Sequence, residues 1–327
     1  MASKSTSSAT ESFSVSKFRS LLETKEVGRA NVAHKAVATS TMDEADAMIG
    51  EGCPSGSLVV ADEQTKGRGR NNRAWQSASR KNLYVSLVLR PPSIQDVINI
   101  NFSAPLAVAM AAEEVGVKEA KVKWPNDVWV GARKLAGVLL NTTAMAVSGK
   151  AQLAVNLGIG VNINQDMSRT ERGDVASGEA TSIIMENGGH AVSREAFLAH
   201  LCSSLEKLML LERDALMAVY HKFDLLLGNE IVVMPNKKED PSSYYMAEAV
   251  QYSKEGYLIV RPYSAPGAAK PGSGQGQQLR TLSAEEVSIR PHKAMSSDAK
   301  TRRENIESEA AAGSIDGADD AKTRPPS

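Results

Sequence analysis

Between residues 29 and 292 the apolar positions switch repeatedly between a two-residue and a three-to-four-residue period, so strands and helices alternate along the chain. SLVVAD at 57–62 is a short apolar run closed by polar residues and predicts a buried strand. NLYVSLVLR at 82–90 sets Leu83, Val85, Leu87 and Leu89 against Tyr84, Ser86 and Arg90 before Pro91 and Pro92 stop it. That alternation predicts a strand with one apolar face. Thr41 stands three residues before Glu44, a capping-box spacing that predicts a helix start. SAPLAVAMAAEEV at 103–115 reads as an alanine-rich helix with Pro105 in its first turn and Gly116 near its end. Across 193–227, Phe197, Leu198, Leu201, Leu205, Leu208 and Met209 fall on one helical face, and Gly228 ends the stretch.

KVKW, DVWV, RKLAGVLL and QLAVNLGIGVNI follow one another between residues 121 and 163 with only short polar breaks, which favours antiparallel hairpins over long crossovers. NEIVVM, YYMAEAVQY, GYLIVRPY and LRTLSAEEVSIRP are short strands in the last third, split by a Pro/Gly/Ser-rich insertion near 264–278. The expected class is α+β: a mixed sheet with flanking helices over 29–228, then a small all-β barrel or sandwich over 229–292. Residues 1–28 and 293–327 are polar, low in complexity and without periodicity, so disorder is expected at both ends.

Charge and cysteine content narrow the function classes. Lys+Arg 38 balances Asp+Glu 38, so no basic bias recommends a nucleic-acid partner. Cys53 and Cys202 lie far apart and lack the spacing of a zinc site, which suits a reducing compartment without a structural metal. No apolar run reaches the roughly 18 residues of a membrane span, and MASKSTSSATES lacks the apolar core of a secretory signal, so a cytoplasmic location is expected.

Four segments carry candidate chemistry. TKGRGRNNRAWQ at 65–76 holds Lys66, Arg68, Arg70 and Arg73 between two strands; it reads either as a solvated loop or as one that closes over a phosphate. KWPND at 123–127 puts Asn126 and Asp127 at a strand end behind a Trp-Pro corner. RKLAG at 133–137 follows six residues later, so a hairpin would return Lys134 alongside Asn126 and Asp127, where a lysine needs a partner or an anion. GIGVNIN at 158–164 combines space-leaving glycines with Asn162 and Asn164. His34, His190, His200, His221 and His292 share no spacing, and no Ser/His/Asp relay is evident.

In this order GRGR with the following Trp75, KWPND, RKLAGVLLN and GIGVNIN resemble the biotin protein ligase family, over roughly residues 35–292. The resemblance implies a biotin ligase catalytic fold, similar to that of class II aminoacyl-tRNA synthetases, with a small SH3-like C-terminal domain. It implies that biotin and ATP are joined into biotinyl-5′-AMP and that biotin then passes to one lysine of a carboxylase's biotin acceptor domain. By the same resemblance Ser40, Thr41, Gln64 and Arg68 meet the ureido ring, with the backbone near Gly67 and Gly69. Arg70 holds the adenylate phosphate, and Lys134 contacts both the biotin carboxylate and the phosphoryl oxygen. Trp75 packs near the adenine, Asn126 and Asn162 lie by the adenylate, and Lys123 and Asp127 serve ATP and its Mg2+, Asp127 as the metal ligand.

Two departures stand out: TSTM places Met42 where the family has asparagine, and NNRAW lacks a further Gly and Arg. The region before residue 35 offers no helix-turn-helix, so a single-function form without a DNA partner is expected, with a homodimer compatible. Lipoate or octanoate ligases share the fold and resemble GRGR and KWPND less. A non-catalytic biotin-binding module is the remaining alternative.

Overall fold

The protein is described here by a computed structural model covering residues 11–70, 73–147, 150–169, 179–235, 243–263, 278–283 and 287–291. These fall into two compact units: one runs to Leu227 and includes Tyr252–Gly256, and the other holds Gly228–Gln251 and the residues from Tyr257 onward.

The first unit is built on a seven-stranded sheet of order β1-β2-β3-β7-β6-β5-β4. Its strands are β1 (Val32–Lys35), β2 (Ser57–Ala61), β3 (Leu83–Leu89), β4 (Ala120–Lys123), β5 (Asp127–Val130), β6 (Arg133–Val147) and β7 (Lys150–Val161). β1 runs parallel to β2 and every other pairing is antiparallel, so the sheet is mixed as expected. The consecutive hairpins β4-β5-β6-β7 follow the abutting apolar segments, because turns of a few residues permit only antiparallel neighbours. β3 differs from its alternating pattern: all seven of its residues are buried, since the strand lies inside the sheet between β2 and β7.

Helix α2 (Thr41–Gly50) starts one residue earlier than the Thr41 box suggests. Ser40 is the cap, and its hydroxyl accepts from the Met42 amide at 3.3 Å. Through Ala45 and Ile49, α2 packs on Val59, Val88 and Ala154 of the sheet. Helix α3 (Ile94–Glu114) begins nine residues before the alanine-rich stretch, capped by Ser93, so Pro105 lies inside it rather than in its first turn. The stretch from 193 to 227 is two helices, α5 (Arg194–Met209) and α6 (Arg213–Phe223); between β7 and α5 lies the single turn α4 (Ile183–Glu186). α3 lies against both α5 and α6. Phe102, Tyr220 and Tyr252 meet edge to face at 4.9–5.6 Å, and the Tyr252 hydroxyl donates to Asp224 at 2.6 Å, which ties Tyr252 into this unit.

The expectation of disorder over 1–28 is corrected for residues 11–28, while residues 1–10 lie outside the described residues. Helix α1 (Val15–Leu21) is capped by Ser14, and Phe13, Phe18, Leu22 and Val27 are buried. Each such side chain contributes about 1.5–3 kcal/mol by leaving water, enough to order so short a segment. The segment also supplies polar partners to Asp62, which is 1% exposed at the end of β2. Ser12 Oγ donates to Asp62 Oδ2 at 2.6 Å, the Phe13 amide donates to Oδ1 at 3.1 Å, and Arg194 Nη1 lies 2.8 Å from Oδ1. The expected tail at 293–327 lies outside the described residues.

The second unit is a five-stranded antiparallel sheet of order β11-β10-β9-β8-β12: β8 (Glu230–Pro235), β9 (Tyr245–Tyr252), β10 (Leu258–Pro262), β11 (Arg280–Leu282) and β12 (Val287–Pro291). Ile231 and Val233, Ala247 and Ala249, and Leu258 and Val260 are buried at two-residue spacing, so one face of the sheet forms a small core of its own.

Burial raises the Asp62 carboxyl, but the Ser12 hydroxyl, the Arg194 guanidinium and the Phe13 amide outweigh it and hold its pKa below the ordinary 3.8. A depressed carboxylate stabilises the fold fully above its unfolded value, and that contribution is lost as pH falls through the folded value. Asp62→Asn leaves Arg194, 4% exposed, without its counter-charge, and about 3–5 kcal/mol of stability should disappear at pH 7 in urea unfolding. The steep loss of wild-type stability below pH 4 should be shallower in the variant; parallel pH profiles would show that Asp62 is not the group responsible.

Candidate active site

β4 ends at Lys123, Trp124-Pro125 turns the chain through a cis bond, and β5 begins at Asp127 directly opposite Lys123. Trp124 is buried and donates from Nε1 to the Gly256 carbonyl at 3.0 Å, fixing the corner. Lys123, 4% exposed, lies with Nζ 4.1 Å from the centroid of the Trp129 ring. Asn126 is pinned on β6: its amide nitrogen donates to the Val138 carbonyl, and its own carbonyl accepts from Val138 N at 2.8 Å.

The β5–β6 pairing carries a register shift. Asp127 faces Gly137 and Val128 faces Ala136, but Trp129 faces Lys134, so Leu135 is the extra residue. Strict alternation would send Lys134 and Gly137 to opposite faces; the bulge brings both to the side of Asp127. Lys134 Nζ lies 2.7 Å from Asp127 Oδ1, and a Cβ at Gly137 would stand 3.2 Å from that same Nζ. Of the expected return of Lys134 to Asn126 and Asp127, the meeting with Asp127 is found, by a device the sequence does not advertise.

Residues 67–70 pair with residues 73–75 as a small hairpin: Trp75 N donates to Gly67 O at 2.9 Å, Gly69 N to Arg73 O at 2.8 Å, and Arg68 bridges Ala74. Gly67 is required there, because a Cβ would meet the Trp75 carbonyl at 2.5 Å. The hairpin lays the Trp75 indole across Gly137 and Gly160, cross-strand partners on β6 and β7; a Cβ on Gly160 would stand 2.6 Å from the ring. Lys134 Nζ is 5.4 Å from the ring centroid, and Trp75 Nε1 is buried without a hydrogen-bond partner among the described residues. Arg70 reaches the same place and donates from Nη1 to Asn126 Oδ1 at 3.1 Å.

Burial raises the Asp127 carboxyl, yet the charges of Lys134, Lys123 and Arg70 and the Lys134 hydrogen bond bring its pKa below the ordinary value. Three cations thus act on one carboxylate. Asp127 is taken by Lys134, and no group of three or more His, Cys, Asp or Glu side chains that could hold a metal occurs among the described residues.

A second, polar end lies along the same strands. Thr41 donates from both its amide (2.9 Å) and its hydroxyl (3.2 Å) to Gln64 Oε1, and Gln64 Nε2 donates to Ser77 at 3.2 Å. Ser86, which faces Gly158 across β3 and β7, donates to the Thr41 hydroxyl at 2.9 Å. Ser40, Thr41, Gln64 and Gly67 therefore cluster here, while Lys123, Asn126, Asp127, Lys134, Arg70 and Trp75 cluster at the other end. Met42 contacts Gly158, where a Cβ would stand 2.8 Å from its sulfur, in keeping with the absence of a polar role for that side chain.

Two candidates turn elsewhere. Arg68 pairs with Asp43 at 2.5 Å in the first turn of α2, a partner that no spacing in the sequence announces. Asn162 donates to the Thr181 carbonyl at 3.0 Å, so its amide serves as a tether one strand away from Lys134.

The site is thus a cationic pocket on a mixed sheet, beneath a hairpin that carries two glycines. The model of the biotin/lipoate A/B protein ligase family matches residues 35–162. The chain is 33% identical over 195 residues to the bifunctional ligase/repressor BirA of Bacillus subtilis (59% of this chain, 58% of that protein) and 34% identical over 154 residues to the biotin--[acetyl-CoA-carboxylase] ligase of Paracoccus denitrificans (46% and 61%). The chain thus spans about three fifths of the length of these two relatives. Its fold is that of the biotin protein ligase from Aquifex aeolicus in complex with biotin and ATP: TM-score 0.60 at 24% identity, over 80% of this chain and 99% of that one.

Gly160→Ala tests the indole shelf. The new methyl stands 2.6 Å from Trp75, so the ring must lift. Stability should fall by about 1–3 kcal/mol in urea unfolding, and acrylamide quenching of tryptophan fluorescence should increase. Unaltered quenching would mean that the indole does not rest on Gly160 in solution.

Proposed function

We propose that the chain is a biotin protein ligase that forms biotinyl-5′-AMP from biotin and ATP and then transfers biotin to a lysine of a carboxylase's biotin acceptor domain. The observation that carries this reading is the convergence of Lys134, Lys123 and Arg70 on Asp127 and Asn126 at the KWPND–RKLAG junction. A biotin carboxylate oxygen attacks the α-phosphorus of ATP, the α–β bridging bond breaks, and pyrophosphate leaves. Several negative charges meet in that step, so preorganised cations and positioning supply the catalysis.

Lys134 takes the carboxylate and the phosphoryl oxygen, exchanging Asp127 for the substrate anions. Arg70 holds the adenylate phosphate from the hairpin, Lys123 serves the triphosphate, and Trp75, with its unpartnered Nε1 over the glycine shelf, covers the adenylate. Asn126 and Asn162 border it. The other end receives the ureido ring at Ser40, Thr41 and Gln64, with the Gly67–Gly69 backbone and Arg68 at its mouth. In the second step the acceptor amine attacks the acyl carbon, AMP leaves and the amine gives up a proton. Asp127, bonded to Lys134 and surrounded by cations, does not fit a resident Mg2+ site; Mg2+ enters as the counter-ion of ATP.

Purified protein given ATP should release pyrophosphate with biotin and not with lipoate or octanoate. Release with lipoate or octanoate alone would replace this reading with that of the other ligases of the family, and release with no acid would remove it. Lys134→Ala should lower biotin-dependent release by about 10² to 10³, or 2.7–4 kcal/mol of transition-state stabilisation, with folding retained. Near-normal release would exclude the role given to Lys134.

Arg70→Gly removes a charge-assisted donor worth about 1.5–3 kcal/mol from the closed hairpin while Lys134 and Lys123 stay. Adenylate formation should suffer less than adenylate retention. The variant should therefore biotinylate exposed lysines of an unrelated protein present in the assay. Bystander labelling no higher than wild type, with adenylate formation intact, would remove the retention role.

A further inference from the structure

The backbone of Lys134 is held on its amide and its carbonyl by another segment. Its amide donates to the Glu179 carbonyl at 2.8 Å, and its carbonyl accepts from Thr181 N at 2.9 Å, so Ala180 pairs with it as an isolated parallel bridge. That three-residue segment is itself tied down. The Thr181 carbonyl accepts from Asn162 Nδ2 at 3.0 Å, and the Thr181 hydroxyl donates to Glu186 Oε1. The same Glu186 oxygen takes Arg133 Nη2 at 2.6 Å, the guanidinium next to Lys134 in sequence. Glu186 is 14% exposed at the end of the single turn α4. One carboxylate oxygen therefore grips both the residue before Lys134 and the segment that brackets its peptide groups.

We infer that Glu186 is a positioning residue for Lys134, acting through Thr181 and Arg133 to fix the bulged stretch from which the lysine points at its substrate. The bulge at Leu135 makes such a clamp necessary: an extra residue interrupts the β5–β6 ladder beside Lys134, so the missing constraint must come from elsewhere. Lys134 has to meet two oxygens that approach each other, and a misplacement of about 1 Å costs on the order of 10² in rate. The inference rests on the ligase reading for its kinetic arm and not for its structural one.

The test is a double-mutant cycle on biotin-dependent pyrophosphate release. Glu186→Ala should lower kcat by about 10- to 100-fold with the biotin KM changed by less than about threefold. In the Lys134→Ala background it should add less than about twofold, because the lysine it positions is gone. Glu186→Gln keeps an oxygen that accepts from both Thr181 and Arg133 and should stay within about threefold of wild type. Multiplicative effects of Glu186→Ala and Lys134→Ala, or a Glu186→Gln loss equal to that of Glu186→Ala, would overturn the proposal.

A second arm needs no turnover: limited acetylation of the ligand-free protein with acetic anhydride, read by mass spectrometry. Lys134 should be modified several-fold faster in Glu186→Ala, relative to Lys118 in the same sample, with Glu186→Gln close to wild type. Equal labelling in all three would overturn the clamp. A wild type that releases no pyrophosphate with biotin would defeat the ligase reading and leave the labelling arm to decide this one.

Discussion

Three positive side chains do not gather beside one another in a partly buried pocket unless an anion balances them, and here that anion is Asp127. Much of the local architecture follows from this constraint. The Trp124-Pro125 corner sets Asp127 at the first position of β5, opposite Lys123, so one lysine is supplied by the neighbouring strand at no cost in chain length. The second has to return from β6, and ordinary pairing cannot place it while also keeping Gly137 open on the same face. The bulge at Leu135 resolves that conflict. In the proposed function, Asp127 holds a site that substrate oxygens can take over, with most of the charge arrangement already formed before they arrive.

The glycines of β6 and β7 answer a different demand. Gly137 and Gly160 are direct cross-strand partners, and with no side chain on either the sheet offers a flat shelf one indole wide. Trp75 fills it from above. A stretch of four cations and two glycines in the sequence reads as solvated because it has almost no apolar surface of its own, yet its single tryptophan is enough to attach it to the sheet. Gly158, one step further along β7, leaves room for Met42 and lies opposite Ser86, where the polar end begins.

What could be read in the sequence was what depends on local pattern. The antiparallel run β4-β5-β6-β7 was legible because its apolar segments abut, and the meeting of Lys134 with Asp127 was legible because a six-residue offset permits only a hairpin. What was not legible depends on tertiary context. The first nine residues of α3 carry Ile94, Val97 and Ile100 at helical spacing, but polar residues between them hide the pattern beside the alanine-rich stretch. The break between α5 and α6 has no glycine or proline to mark it. Helix α1 has seven residues, too few to stand on propensity, and exists because Phe18 and Leu22 find a core and Ser12 and Phe13 find Asp62. The pairing of Arg68 with Asp43 joins two segments 25 residues apart, and nothing local encodes it.

Two of the cationic side chains around Asp127, Lys134 and Arg70, are anchored unequally. Lys134 bonds a carboxylate at 2.7 Å from a strand whose backbone is bracketed by residues 179–181. Arg70 bonds a neutral amide at 3.1 Å from a hairpin whose Trp75 ring rests on the glycines of the sheet and whose Arg68 pairs with Asp43. A charge-to-charge contact on a rigid strand is the stronger and stiffer of the two; a charge-to-amide contact on a hairpin is the one that gives way first. The Arg70 side is therefore the one that can open without disturbing Lys134. Under the proposed ligase function, the Arg70 side is the one an adenylate phosphate would pull on, and the Lys134 side the one that keeps the carboxylate in place.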